Sequence, residues 1–386
     1  MRLSDSERER EFRAAVREWL DANGAPAGPG APRVWDAAAL REWSRASWKA
    51  GYAGITWPTE YGGRALDGGY QAIHTEECAL AEAPDHVNVI GTNMVGPTII
   101  RYGTDRQRSA FLPRILSGDA LFCQGFSEPE AGSDLAAVRT VARSHADGFV
   151  LDGEKVWSSY AHLADHCLLL ARTEPEGPKH EALSCFLIDM RAPGVEVRPL
   201  RQMSGDADFS RIALTGVVVP EDRLLGPRGG GWRVAMTTLA HERGTFGIAL
   251  TARLSVQFAR LVRTAIELGK DRDPVVRKDI ADLHVQLEAL RHTGYRALAA
   301  LERTGEPGPE SAILKLRWSS VNQRVAALGC HLLGEQAQLG GPGTFWGGYW
   351  QRQRLRSRTN SIEGGTSEIL RGVVAERVLR LPRSRT

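Results

Sequence analysis

Two short stretches of this chain carry side chains for which a plain core strand has little use. Residues 123–134 read Cys-Gln-Gly-Phe-Ser-Glu-Pro-Glu-Ala-Gly-Ser-Asp, and residues 153–159 read Gly-Glu-Lys-Val-Trp-Ser-Ser. In the first, Ala131, Gly132 and Ser133 make a small-residue turn beside hydroxyl groups, where backbone N–H groups can approach an anion closely. In the second, Trp157 offers a flat aromatic face two positions before the hydroxyl of Ser159. An anion-sized cradle and a platform for a planar ring, in that order, suit a cofactor with a pyrophosphate and an aromatic head. A β-hairpin with a polar turn and one core tryptophan explains either stretch alone. The pair favours a ligand.

The rest of the chain must position these groups, and its bulk properties narrow how. At 386 residues it is too long for one simple core, so two or three domains are expected. With 42% hydrophobic and 25% charged residues it reads as globular rather than disordered. A net charge of +3 gives no strongly basic face, so nucleic acid is not an expected partner. No apolar run approaches the ~18 residues that a membrane span needs. The first ten residues alternate in charge and lack an apolar run, unlike a signal peptide. The five cysteines are scattered without a CxxC pair, which fits reduced thiols and a cytoplasmic location. The ten histidines show no HExxH-type spacing, so no metal site is expected.

The periodicity changes twice along the chain. Ser4-Asp5-Ser6-Glu7 has the form of a capping box, followed by Phe12, Val16, Trp19 and Leu20 on one helical face. A Pro/Gly-rich break at 24–32 follows, then helical stretches near 36–50, 67–82, 87–102 and 105–117. From about residue 120, short apolar runs at 120–126, 138–143, 149–151, 166–172, 184–189, 195–199 and 211–219 read as strands. Asp147-Gly148, Asp152-Gly153 and Pro193-Gly194 read as the turns between them. Beyond Gly229-Gly230-Gly231 the helical period returns, near 232–268, 274–303, 308–339 and 365–380, enough for a four-helix bundle. The expected fold class is mostly α with a central β-domain, divided at 1–118, 119–228 and 229–386.

Gln124–Asp134, Gly153–Ser159 and Gly364-Gly-Thr-Ser-Glu-Ile-Leu-Arg371, in this domain order, resemble the acyl-CoA dehydrogenase family along essentially the whole chain. The resemblance implies a helical N-domain, a β-barrel-like middle domain and a C-terminal four-helix bundle. FAD would lie extended between the last two and reach a neighbouring subunit of a homodimer or homotetramer. By position it places Phe126 and Ser127 at the flavin ring, Gly132 and Ser133 at the pyrophosphate, and Ser133 also at the substrate's pantetheine arm. Trp157 would pack against the isoalloxazine and Ser159 would bond near N5. Thr366 and Glu368 fall where the family meets the cofactor again; as residues alone they read as a helix cap and a first-turn acid.

The family's chemistry is α,β-desaturation of a thioester. It needs a carboxylate base for the α-proton and hydrogen-bond donors at the carbonyl oxygen. Most members carry the base immediately before the Gly-Thr of the C-terminal motif, but here that residue is Gly364, with Glu363 one position earlier. A branch that includes isovaleryl-CoA and long-chain acyl-CoA dehydrogenases carries it instead on the first long helix of the C-terminal domain, just before an arginine. Leu239-Ala-His-Glu-Arg243 matches that pattern, which makes Glu242 the implied base and places Arg243 toward the CoA portion. Without the resemblance, Glu242 and Arg243 read as solvated helix charges. Gly364 keeps its backbone N–H, which the family uses as a donor to the thioester carbonyl.

An acyl-CoA or acyl-carrier-protein thioester is therefore the implied substrate, and an electron-transfer flavoprotein an implied electron acceptor. Two stretches depart from the family pattern. Lys270–Arg277 replaces an arginine–aromatic–glycine run, and Leu332–Glu335 stands where a Gly-Gly loop is usual near the adenine. Two alternatives follow: an acyl-CoA oxidase or monooxygenase on the same fold, or a non-catalytic subunit of a heteromeric dehydrogenase. The alternating arginines of Gln351–Arg358 suit a phosphate, a subunit interface or a solvated loop.

Overall fold

The computed structural model describes residues 5–23, 37–84, 86–174, 176–304 and 308–382; the side chains of 37, 242–246, 301, 302 and 304 lie outside that description. Ser4 and the Pro/Gly break at 24–32 also fall outside it. The chain divides into two compact units, one made of residues 1–34, 67–84 and 243–386, the other of residues 35–66 and 85–242.

The first unit is helical. It contains α1 (Glu7–Asn23), α3 (Gly68–Leu80), all but the opening turns of α6 (Gly231–Glu267), α7 (Pro274–Thr304), α8 (Glu310–Leu333), α9 (Tyr349–Arg356) and α10 (Ser367–Val373). The capping box of α1 sits two residues later than its sequence suggests. The Glu9 amide donates to Ser6 Oγ at 3.3 Å, and Glu9 Oε2 accepts from the Ser6 amide at 2.6 Å. Phe12, Val16 and Leu20 are buried as expected, whereas Arg13 and Arg17 turn to Glu77 of α3 at 2.6 and 2.7 Å. The main core gathers Leu254, Leu261, Leu283, Trp318, Val325 and Trp350 from α6 to α9. The last helical segment is shorter than its periodicity suggests. α10 ends at Val373, and the chain continues through a wider turn at Val374–Val378.

The second unit contains α2 (Ala37–Lys49), α4 (Gly96–Tyr102), α5 (Asp105–Ser117), the start of α6 and a mixed sheet. The strands are β1 (Phe122–Gly125), β2 (Val141–His145), β3 (Gly148–Ser159), β4 (His166–Arg172), β5 (Leu183–Asp189), β6 (Val195–Leu200), β7 (Phe209–Val219) and β8 (Leu224–Leu225). They run in the order β6-β7-β3-β2-β4-β5-β8, with β1 parallel to β4 off that path. The unbroken apolar runs of β4 and β5 follow from burial on both faces. One face packs on Ile99, Phe111, Leu112 and Ile115 of α4 and α5, the other on Leu151, Ile212 and Val217 of β3 and β7. Buried Asn88 fixes where β1 begins: its side chain donates to the Ile115 and Ala120 carbonyls and accepts from the Phe122 amide at 2.8 Å.

Asp152-Gly153 does not turn the chain but lies inside β3. The register against β7 slips between Leu151 and Gly153, and Gly153 has φ +150. A Cβ there would stand 2.6 Å from Thr140 Oγ1, so the glycine permits a bulge in one long strand rather than a hairpin. A second slip falls between Lys155 and Ser158, around Trp157.

No helix among the described residues is long and apolar enough to cross a membrane.

Candidate functional site

In the second unit, the two stretches singled out by sequence are tied together by a buried ion pair. Lys155 is wholly buried on β3, and its Nζ donates to Glu128 Oε1 at 2.8 Å and to the Phe126 carbonyl at 3.1 Å. Glu128, 7% exposed, also accepts from the Arg139 and Thr140 amides at 2.6 and 2.9 Å. Burial works to raise the Glu128 pKa, but the neighbouring Lys155 and the hydrogen bonds outweigh it, and the carboxyl stays below its usual range. Burial likewise drives the Lys155 ammonium down, and Glu128 offsets this only in part. The Val156 amide donates to the Ser127 carbonyl at 2.9 Å, while Glu128 and Ala131 exchange backbone bonds across a tight turn. Phe126 and Ser127 are therefore held beside residues 155–157. Sequence reading assigned no role to Glu128 or Lys155. The available signal was two charges placed inside runs of small and apolar residues.

Beyond that turn, Gly132 and Ser133 are exposed, and a Cβ at Gly132 would meet no atom within 4 Å. Trp157 sits in the bulge with φ +61, a left-handed conformation rare for an aromatic residue. Its ring is 59% exposed and touches Phe209 edge-on at 6.0 Å. Ser159, half-buried, closes β3 opposite Phe209. An outward-facing indole held in place by strained backbone, beside an open glycine turn, fits a planar ring joined to a phosphate. The residues present suit FAD.

The helix that carries Glu242 starts in this unit with polar anchors. Thr98 Oγ1 of α4 meets Thr238 Oγ1 of α6 at 3.0 Å, and Tyr102 Oη meets Thr237 Oγ1 at 2.9 Å. Burial holds the His241 imidazole below its usual pKa, and Arg101 adds to the effect, which favours the neutral ring. Glu242 lies in α6 one turn after Thr238. The side chains of Glu242 and Arg243 fall outside the described residues.

In the first unit, Gly364 and Gly365 follow one another with φ +61 and +99. Glu363, the other carboxylate near this motif, is already engaged. Arg356 donates to its Oε1 and Oε2 at 3.3 and 3.1 Å, and Asn360 Nδ2 to Oε1 at 2.7 Å. Thr366 caps α10, its Oγ1 accepting from the Ile369 amide at 3.2 Å, and exposed Glu368 pairs with Arg371 at 3.4 Å. Gly365→Ala is expected to lower stability by about 1–2 kcal/mol, because an L side chain resists this φ. Its Cβ would meet Leu370 at an ordinary contact distance of 3.4 Å, so the backbone conformation alone carries the cost. Urea unfolding of the purified variant checks this.

Residues 6–119, 123–217 and 229–379 match the N-terminal, middle and C-terminal domain models of acyl-CoA dehydrogenases. Acyl-CoA dehydrogenase IpdE1 of Mycobacterium tuberculosis (strain ATCC 25618 / H37Rv) is 39% identical over 382 residues, covering 97% of this chain and 98% of that protein. The steroid ACAD Tcur3481-Tcur3483 is 30% identical with a TM-score of 0.87, and 100% of each chain is covered. The ChsE4-ChsE5 complex from Mycobacterium tuberculosis is similar over the same extent, at 30% identity and a TM-score of 0.85. Motifs, fold and these likenesses converge: the chain belongs to the acyl-CoA dehydrogenase family of FAD-dependent oxidoreductases.

Proposed function

We propose that this chain desaturates an acyl-CoA thioester between Cα and Cβ, with Glu242 taking the α-proton and the Gly364 amide donating to the thioester carbonyl. FAD, when bound, supplies the acceptor for the hydride that leaves Cβ. The electron pair released at Cα then forms the double bond. Polarisation of the carbonyl acidifies the α-proton, and a carboxylate shielded from water is basic enough to remove it.

One observation carries the assignment of the base. Both oxygens of Glu363 are committed to Arg356 and Asn360, while position 364 has no side chain, which leaves Glu242 as the family-matched carboxylate. Phe126, Ser127, Trp157 and Ser159 would hold the flavin ring, Gly132 and Ser133 the pyrophosphate, and Thr366 and Glu368 the cofactor's further contacts. Ser133 and Arg243 would meet the CoA portion. In this reading the functional segments are 1–118, 119–228 and 229–386, and an electron-transfer flavoprotein reoxidises the enzyme.

Trp157→Ala is expected to weaken FAD binding by about tenfold, through lost aromatic stacking. Stability should hardly change, because the ring is largely exposed. Fluorescence titration of apoprotein with FAD reads this; an unchanged Kd argues against the ring contact.

A second reading concerns substrate and assembly. Two solved relatives are named as a steroid ACAD and as a complex of two different chains, which favours a steroid-derived acyl thioester and a heteromeric partner over a homo-oligomer. A panel of straight-chain, branched and steroid-ring acyl-CoAs with a dye acceptor tests the function, using protein made alone and with a candidate partner chain. Dye reduction without matching peroxide supports the dehydrogenase; peroxide production at the rate of turnover supports the oxidase instead. Colourless protein that turns yellow only with a partner supports the heteromer.

A further inference from the structure

One face of α8 serves a loop instead of the core of the helical unit. Lys315, Ser319, Asn322 and Gln323 recur at helical spacing, and the first three are buried, Lys315 at 7% exposure. Lys315 Nζ donates to the Gly365 carbonyl at 2.8 Å, and Ser319 Oγ to the Asn360 carbonyl at 2.6 Å. Asn322 Nδ2 donates to Asn360 Oδ1 at 2.7 Å, and Gln323 Nε2 to the Ser357 carbonyl at 3.0 Å. The loop they hold, residues 357–365, contains the Gly364–Gly365 pair.

Burying a lysine costs free energy that methionine or leucine of similar volume avoids. The lysine brings a charge-assisted bond to Gly365, which neither of those side chains can make. That bond matters because glycines accept either sign of φ and have no side chain to fix their peptide planes. At φ +61 and +99 the pair holds one orientation only if something outside it does the holding. The Gly365 carbonyl belongs to the Gly365–Thr366 peptide and the Gly364 N–H to the Glu363–Gly364 peptide, so Lys315 anchors the far end of the pair while Arg356 and Asn360 hold Glu363 at the near end.

We propose that Lys315 is a positioning residue for the thioester-carbonyl donor: its bond to the Gly365 carbonyl anchors the far end of the glycine pair and so restricts the swing of the Gly364 N–H. The proposal rests on the reading of Gly364 as that donor. Ser319 and Asn322 support it by fixing Asn360, which also keeps Glu363 occupied.

The test is the infrared carbonyl stretch of a carbonyl-labelled 3-thiaacyl-CoA, which cannot be desaturated, bound to FAD-loaded protein. In the parent, the stretch is expected at lower frequency than in free ligand. In FAD-loaded Lys315→Met most of that shift should vanish, and kcat on an acyl-CoA should fall roughly 10- to 100-fold with KM nearly unchanged. Lys315→Arg, which keeps a donor, should recover part of both. A full shift and full kcat in Lys315→Met would overturn the proposal. A parent without any shift would overturn the Gly364 reading itself, a separate failure. Should Lys315→Met not hold FAD, Ser319→Ala removes a single oxygen from the same network. A reduced shift there supports the proposal, and an unchanged one contradicts it.

Discussion

Glu242→Gln is expected to slow reduction of the bound flavin by an acyl-CoA by roughly 100- to 10,000-fold, the range of a lost general base. The amide matches the carboxylate in size but takes no proton, so fold, FAD content and acyl-CoA affinity should stay close to the parent. Glu363→Gln provides the contrast. Its partner Arg356 is about one-third exposed, so loss of this ion pair should cost less than about 1 kcal/mol. Flavin reduction in that variant should fall by far less than in Glu242→Gln. Anaerobic stopped-flow absorbance on both variants gives the comparison. Equal losses would deny Glu242 a special role.

The second large effect concerns stability. Lys155→Met leaves the Glu128 carboxylate buried without its cation, for which the expected cost is about 3–5 kcal/mol. Glu128→Ala should be at least as damaging, since it also strands the Arg139 and Thr140 amides. Both should loosen the turn at Glu128–Ala131 and with it FAD retention. The pair also sets an acid limit. With its folded pKa depressed, Glu128 contributes stability above its unfolded pKa and loses it as pH falls through the folded value. Lys155→Met removes the cation that depresses that value, so its acid unfolding should begin at higher pH than the parent's. Urea titrations across an acid pH series measure both effects; parent-like midpoints throughout would contradict them.

Much of this fold was legible because burial imposes period. The continuous apolar runs of β4 and β5 and the spacing of Phe12, Val16 and Leu20 are direct imprints of what each element packs against. Asp152-Gly153 misled for a local reason. The pair is common in hairpin turns, yet here the glycine is needed because Thr140 leaves no room for a Cβ inside a bulged strand. Ser4-Asp5-Ser6-Glu7 misled similarly. Two serines each precede a glutamate by three residues, and sequence spacing does not say which one caps.

The site was partly legible. Gly132 and Ser133 stood out as a small polar turn and Trp157 as a flat aromatic face close to a hydroxyl, and the structure leaves all three facing outward. Glu128 and Lys155 were missed because a buried ion pair has no period of its own, joining positions distant in sequence. The α8 face at Lys315, Ser319 and Asn322 was missed for a related reason. On a mixed helix, such residues look like ordinary solvent-facing polar positions until a loop is found covering them.

The central claim is that Glu242 moves the α-proton. Exchange of the α-protons of a bound 3-thiaacyl-CoA into D2O, followed by NMR under anaerobic conditions, reads that transfer without any hydride step. Exchange is predicted in the parent and in Glu363→Gln and should be abolished in FAD-loaded Glu242→Gln. Exchange at the parent rate in Glu242→Gln would contradict the account.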